Sequence, residues 1–215
     1  MKHSAEEKNN FLMDIFQWVT RLFYLNILWL VGCLLGLIVA GIGPATISLF
    51  ETLKEVSWKN NEVPLTKHFI KIYKKQWRVI NKWMILLYAM VLFFWIDYRL
   101  IVLFSSNTLI FKIVCPLFIL LVSIVTITIL YFFVFYTNFN LTTFKKIENS
   151  LLLSFSSPLR SLLIILFLVL HYNLILHWPF IFIFFLASLP AFIIVLALKK
   201  VYFKLIWSAK HNKNR

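Results

Sequence analysis

Residues 22–50 read LFYLNILWLVGCLLGLIVAGIGPATISLF and carry no formal charge. At 1.5 Å per helical residue the run extends about 43 Å, more than the roughly 30 Å hydrocarbon core of a bilayer. Near its end, Gly41-Ile42-Gly43-Pro44-Ala45-Thr46 reads as a corner. Two glycines relax the backbone there, and Pro44 suits the first turn of a new helix. The stretch therefore predicts a membrane helix over about 22–40, a hinge, and a second helix.

The rest of the chain agrees with a membrane setting. Apolar residues make up 61% of the 215 residues, against about 45–50% in soluble domains, and charged residues only 14%. No polar stretch is long enough for a separate soluble domain, so residues 1–215 are expected to form a single all-α, polytopic membrane domain. The net charge of +14 does not point to nucleic acid, because the cations flank apolar runs as they do in loops facing an anionic leaflet. Cys33 and Cys115 both lie inside apolar runs and read as small hydrophobes. MKHSAEEKNN lacks the pattern of a cleaved signal, so the first span is expected to be retained.

In chain order, residues 11–23 place Leu12, Ile15, Phe16, Val19, Leu22 and Phe23 at helical spacing. This fits either an interfacial helix or the first turns of a long span. A short helix over about 45–59 follows the corner. Then Thr66–Trp83 puts Lys67, Lys71, Lys74, Lys75, Arg78 and Lys82 within one arc of about 100°. Phe69, Ile72, Tyr73, Val79, Ile80 and Trp83 take the other side. The region 45–82 is thus expected to be amphipathic and cytoplasmic. Its stripe is either a solvated face that orients the protein or a surface for anionic lipid headgroups or an acidic partner.

Further spans are expected near 83–98, 110–136, 157–172 and 178–198, giving about five. His171-Tyr172-Asn173 reads as an outer hairpin, and Lys145, Lys146 and Glu148 as water-facing. Asp97 and Arg99 sit either at the outer surface or, if their helix continues, near mid-membrane. The segments 44–82, 137–160 and 199–215 hold most of the 22 Lys and Arg, leaving Lys2, Lys8, Arg21, Arg99 and Lys112 to the other side. The positive-inside bias then puts the C-terminus in the cytoplasm and the N-terminus outside. In the alternative, 11–40 enters and leaves on one side and the N-terminus is cytoplasmic.

Motifs for catalysis are missing from the sequence: no HExxH, phosphate-binding GxxxxGK[ST] or GxSxG occurs. His171 and His177, six apart, do not share a helical face, so no metal site and no cofactor are expected. Asn26, strongly polar within the first span, reads as interhelical glue or as a substrate contact. Gly32 and Gly36 form a GxxxG pair through which another helix, of this chain or of a partner, can approach closely.

The run Tyr24–Thr46, with Y-L-N-x-L-W-L leading to G-I-G-P-A-T, resembles the N-terminal signature of the YesL-like family of bacterial integral membrane proteins. V-P-L-T-K-H-F-I-K-I-Y-K-K-Q-W at 63–77 and F-K-K-x-x-x-N-S-L-L-L-S within 141–158 are similar to later family segments. The matching motif positions are Asn26, Trp29, Gly43, Pro44 and Ala45, read physically as packing and hinge residues. The resemblance implies no catalytic residues and an association with uptake of complex carbohydrates. The expected role is a non-enzymatic accessory of carbohydrate uptake in the cell membrane, with the bilayer and subunits of a sugar transporter as partners. The competing readings are a small-solute transporter and a membrane enzyme acting on lipid or cell-wall precursors.

Overall fold

A computed structural model describes residues 2–59, 64–103, 108–138 and 142–199. These residues form eight helices and no strand: α1 Lys2–Leu35, α2 Val39–Lys59, α3 Leu65–Leu103, α4 Thr108–Asn138, α5 Thr143–Ser156, α6 Pro158–His177, α7 Phe180–Phe185 and α8 Ser188–Lys199. Leu12–Leu35, Leu65–Leu103, Phe111–Thr137 and Pro158–His177 are long and apolar enough to cross a bilayer. The all-α, multi-pass architecture is thus as expected, while several boundaries move.

The first correction concerns the corner. The chain reverses at Gly36-Leu37-Ile38, and Gly43, Pro44 and Ala45 lie inside α2 rather than at a hinge. The reversal is placed by close approach of backbone to backbone. A Cβ on Gly36 would lie 2.2 Å from the Cα of Gly41, and one on Gly41 would lie 2.4 Å from the Cys33 carbonyl oxygen. The left-handed positions fall instead on Leu37 (φ 51°) and Ile38 (φ 65°), where side chains make that conformation costly. Hydrogen bonds compensate. The Cys33 carbonyl accepts the N–H groups of Gly36 (3.1 Å) and Ile38 (2.8 Å), and Ala40 donates to Gly36 (3.1 Å).

α2 is the centre of the molecule. Ala45, Ile47, Leu49, Leu53, Ser48 and Thr52 are fully buried, on more than one side of the helix, as befits a helix enclosed by neighbours. It packs against α1, α3 and α4. Gly32 of α1 would bring a Cβ within 3.2 Å of Ala45 and 3.3 Å of Tyr73, so the GxxxG face meets helices of its own chain.

α3 is a second correction. The basic amphipathic segment and the second span form one 39-residue helix without a break at Lys82–Trp83. No Gly or Pro falls between Leu65 and Leu103 to interrupt it. At about 58 Å it exceeds the bilayer core, so its basic N-terminal half projects beyond the lipid. At the other end the Arg99 guanidinium lies 5.7 Å over the Trp95 ring, an arrangement suited to the interface.

His171, Tyr172 and Asn173 do not form a turn. α6 continues to His177, and Asn173 is satisfied on the helix itself, its Nδ2 donating to Val169 O at 2.8 Å. The chain turns at Trp178-Pro179. The expected fifth span is interrupted, α7 giving way to α8 at Leu186-Ala187. Pro190 accounts for this, since it has no N–H for the Leu186 carbonyl and its ring crowds that position.

α7 and α8 run antiparallel to α1, with Trp18 against Phe192 (ring centroids 4.8 Å) and Phe23 against Phe184 (4.8 Å). Lys199, which ends α8, donates to the Ser57 carbonyl at 3.0 Å. The described start of α1 and the end of α8 therefore share one end of the bundle. The expectation of five spans treats 22–40 as one element, whereas α1 and α2 form a hairpin whose second arm runs back along the first.

Lys146 does not face water. It is buried on α5, its Nζ 4.2 Å over the Tyr136 ring and donating to the Tyr136 carbonyl at 3.3 Å. Burial lowers its pKa from the ordinary 10.5. The folded state therefore sheds this proton before the unfolded chain does, and stability should rise with pH between the lowered value and 10.5. Thermal unfolding in detergent across that alkaline window should show the rise, and Lys146→Met should flatten it. An equal slope in both proteins would contradict the assignment.

Candidate functional site

The polar chemistry within the bundle converges on the break between α7 and α8. Asn26 projects from α1 and is fully buried. Its Nδ2 donates to the carbonyls of Phe182 (3.3 Å) and Ile183 (2.7 Å), while its Oδ1 accepts the N–H groups of Ala187 (2.9 Å) and Ser188 (3.2 Å). The amide orientation follows from these partners, carbonyls on one side and N–H groups on the other. One side chain thus caps the end of one half-helix and the start of the next. With two donors and two acceptor lone pairs, Asn26 is at full capacity.

Two further buried side chains flank the break. Ser188, at the first position of α8, has no partner for its Oγ, and His171 of α6 has none for its Nε2 although the Phe185 and Leu186 carbonyls lie nearby. Sequence reasoning placed His171 in an outer loop and passed over Ser188. The usable signal was Pro190 in the middle of an apolar run.

The other motif residues build the seam among α1, α2 and α3. Trp29 Nε1 donates to Thr46 Oγ1 at 3.1 Å, Pro44 and Ala45 are fully buried, and Gly43 faces Met84 and Ile80. Two α3 hydroxyls complete it: Tyr73 donates to the Gly32 carbonyl at 2.7 Å and Tyr88 to the Val39 carbonyl. These residues hold helices together and are not gathered around a common space.

The basic residues of α3 form an exposed stripe. Lys67, Lys71, Lys74, Lys75, Arg78 and Lys82 are all exposed, with Phe69, Ile72 and Ile80 buried on the opposite face of α3. Val79 and Trp83 remain exposed between the two. Among the described residues no cluster of three or more His, Cys, Asp or Glu could hold a metal ion.

Fold and site together define a multi-pass helical membrane protein whose interrupted C-terminal helices are stitched to its first long helix. The chain belongs to the YesL-like family. Residues 22–98 match the family described as "Protein of unknown function, DUF624". The chain is 30% identical to "Uncharacterized protein YesL" of Bacillus subtilis (strain 168) over 146 residues, which is 68% of each chain. It is 29% identical to "Uncharacterized protein YesV" of the same strain over 144 residues, 66% of this chain and 68% of the relative. A shorter match, 43% over 58 residues, links it to "Uncharacterized protein YteU", covering 27% of this chain and 26% of the relative. No solved structure matches the chain.

Proposed function

We propose that the protein is a non-enzymatic accessory component of carbohydrate uptake in the bacterial plasma membrane, acting by helix packing in the bilayer and through its basic face. The observation that carries this reading is the full use of Asn26 within the fold, while the exposed charge is concentrated on the α3 stripe. Such a molecule offers a surface to a partner rather than a polar route for a solute. The carbohydrate element rests on the family resemblance. Purification in mild detergent from cells growing on a complex glycan should recover subunits of a sugar transporter, and recovery of the protein without them would refute the reading.

A transporter in its own right is favoured by a separate observation. Interrupted helices with free polar groups are where secondary transporters bind their substrates, and His171 Nε2 and Ser188 Oγ are such groups. Glycan-derived solute uptake by the purified protein in liposomes, lost in His171→Gln, would replace the accessory reading.

The proposed orientation places both chain ends in the cytoplasm. Basic residues gather where α1 and α3 begin and α8 ends, and Arg99 and Lys112 stand at the far end. From Arg21 to the tip at Gly36, and from the tip to Glu51, each arm of the α1–α2 hairpin has about 20 Å of uncharged helix, less than the bilayer core. The tip itself is apolar and exposed at Leu34, Leu35, Leu37, Ile38 and Val39. The hairpin therefore enters from the cytoplasmic side and ends in lipid, its turn bonded internally as a lipid setting demands. In a background with Cys33 and Cys115 replaced by Ala, Ser4→Cys and Ser208→Cys should resist an impermeant maleimide in intact cells and react after permeabilisation. Leu37→Cys should react in neither case. Labelling of Ser4→Cys from outside would overturn this topology.

A further inference from the structure

We propose that the groove between α3, α4 and α5 is a site for one acyl chain of an anionic phospholipid from the cytoplasmic leaflet, with its headgroup held by Lys75 and Lys82. A cavity of about 260 Å³ lies there, lined by Met84, Leu87 and Met90 of α3, Ile129 and Phe132 of α4, and Leu151 of α5, among other apolar side chains. That is just under the range of small-molecule pockets, about 300–1,000 Å³.

The lining excludes a polar occupant. Thr128 is its one hydroxyl, and that hydroxyl already donates to the Ile124 carbonyl at 2.8 Å. A sugar or a free phosphate would lose its hydration there without replacement. The groove's rim is set in lipid-facing surface, since Ile85, Leu86, Leu151 and Leu152 are exposed large apolar residues of a membrane-spanning bundle. What lies alongside is acyl chain.

Charge selects the headgroup. Lys82 precedes Leu86, a lining residue, by four residues, and Lys75 precedes Lys82 by seven, so both cations lie on the face of α3 that borders the groove. Both are exposed, and Trp83, next to Lys82 in sequence, lines the cavity and is itself part-exposed, as interfacial aromatics are. Basic groups above an apolar slot between membrane helices favour an anionic headgroup over a zwitterionic one. This inference goes beyond the uptake role and does not depend on it.

The test uses the full-length protein in nanodiscs with a phosphatidylglycerol carrying a diazirine on one acyl chain, and a phosphatidylcholine probe of the same chain. Cross-links from the anionic probe should concentrate on peptides containing Met84–Met90 and Val125–Phe133, several-fold above the zwitterionic probe. Thr128→Trp should abolish them by filling the slot. Lys75→Gln with Lys82→Gln, a pair of exposed positions that keeps the test decisive if the first variant does not fold, should make the two probes equal. Cross-links spread evenly over the lipid-facing residues of α6, no preference between probes, or a preference that survives the double Lys variant would each overturn the site. So would protection of the groove by a second protein chain.

Discussion

Asn26→Leu should prevent the protein from reaching a stable fold. The substitution keeps the number and branching of side-chain heavy atoms but removes the Asn26 hydrogen bonds from four backbone groups at the α7–α8 break: the carbonyls of Phe182 and Ile183, of which Phe182 retains the Leu186 N–H, and the N–H groups of Ala187 and Ser188. A buried polar group left unsatisfied costs about 1–3 kcal/mol, and in hydrocarbon no water can substitute. With partial relaxation the loss should reach about 3–6 kcal/mol, a large part of the 5–15 kcal/mol typical of a folded domain. Monodisperse yield and thermal midpoint in detergent would report it. Asn26→Asp supplies a built-in control. Protonated, its carboxyl can accept one N–H and donate to one carbonyl, so it should lie between wild type and Asn26→Leu. It should also lose stability as pH rises through its pKa, where the donor is lost and a buried charge appears. Wild-type behaviour of Asn26→Leu would show that Asn26 does not hold the α7–α8 break together.

Gly36→Ala and Gly41→Ala should be severe, and Gly43→Ala mild, although all three substitutions add one methyl group. At Gly36 the new Cβ would meet the Gly41 Cα at 2.2 Å and N at 2.3 Å, and at Gly41 it would meet the Cys33 carbonyl oxygen at 2.4 Å. These are backbone atoms in a turn already carrying two left-handed residues, so only separation of α1 from α2 relieves the clash. Since α2 is the core helix, its displacement should cost about 3 kcal/mol or more. At Gly43 the obstacle is Met84 Cγ at 2.5 Å, part of an unbranched side chain that can move aside. The measurement is the difference in thermal midpoint among the three variants in one detergent. Equal shifts, or a larger shift for Gly43→Ala, would mean that the chain turns at the Gly43-Pro44 corner after all.

That second contrast marks where sequence reasoning reached its limit. A Gly-Ile-Gly-Pro run is a sound local signal for a turn, yet Pro44 is held within α2 because neighbouring helices on several sides outweigh one missing backbone hydrogen bond. The turn instead occupies Leu37 and Ile38, residues with no local preference for it, because the packing of Gly36 against Gly41 fixes the geometry on either side. Lys146 fails similarly: its charge argued for water, but its ammonium group lies over the Tyr136 ring and donates to the Tyr136 carbonyl. His171 was assigned to a loop on polarity alone, and only α7 packed beside it shows the residue to be buried.

By itself the sequence determined that the chain is helical, that it lives in a bilayer, and that one face of α3 is cationic. Each of these depends on composition or on a period of 3.6 residues, properties that a helix carries wherever it is packed. It also picked out Asn26 as a residue bound to matter, because an amide in hydrocarbon must find partners. Which partners it finds, where the hairpin turns, and that α2 forms the core were decided only by tertiary structure. Those features depend on contacts between residues as far apart as Asn26 and Ser188, whose meeting no local pattern encodes.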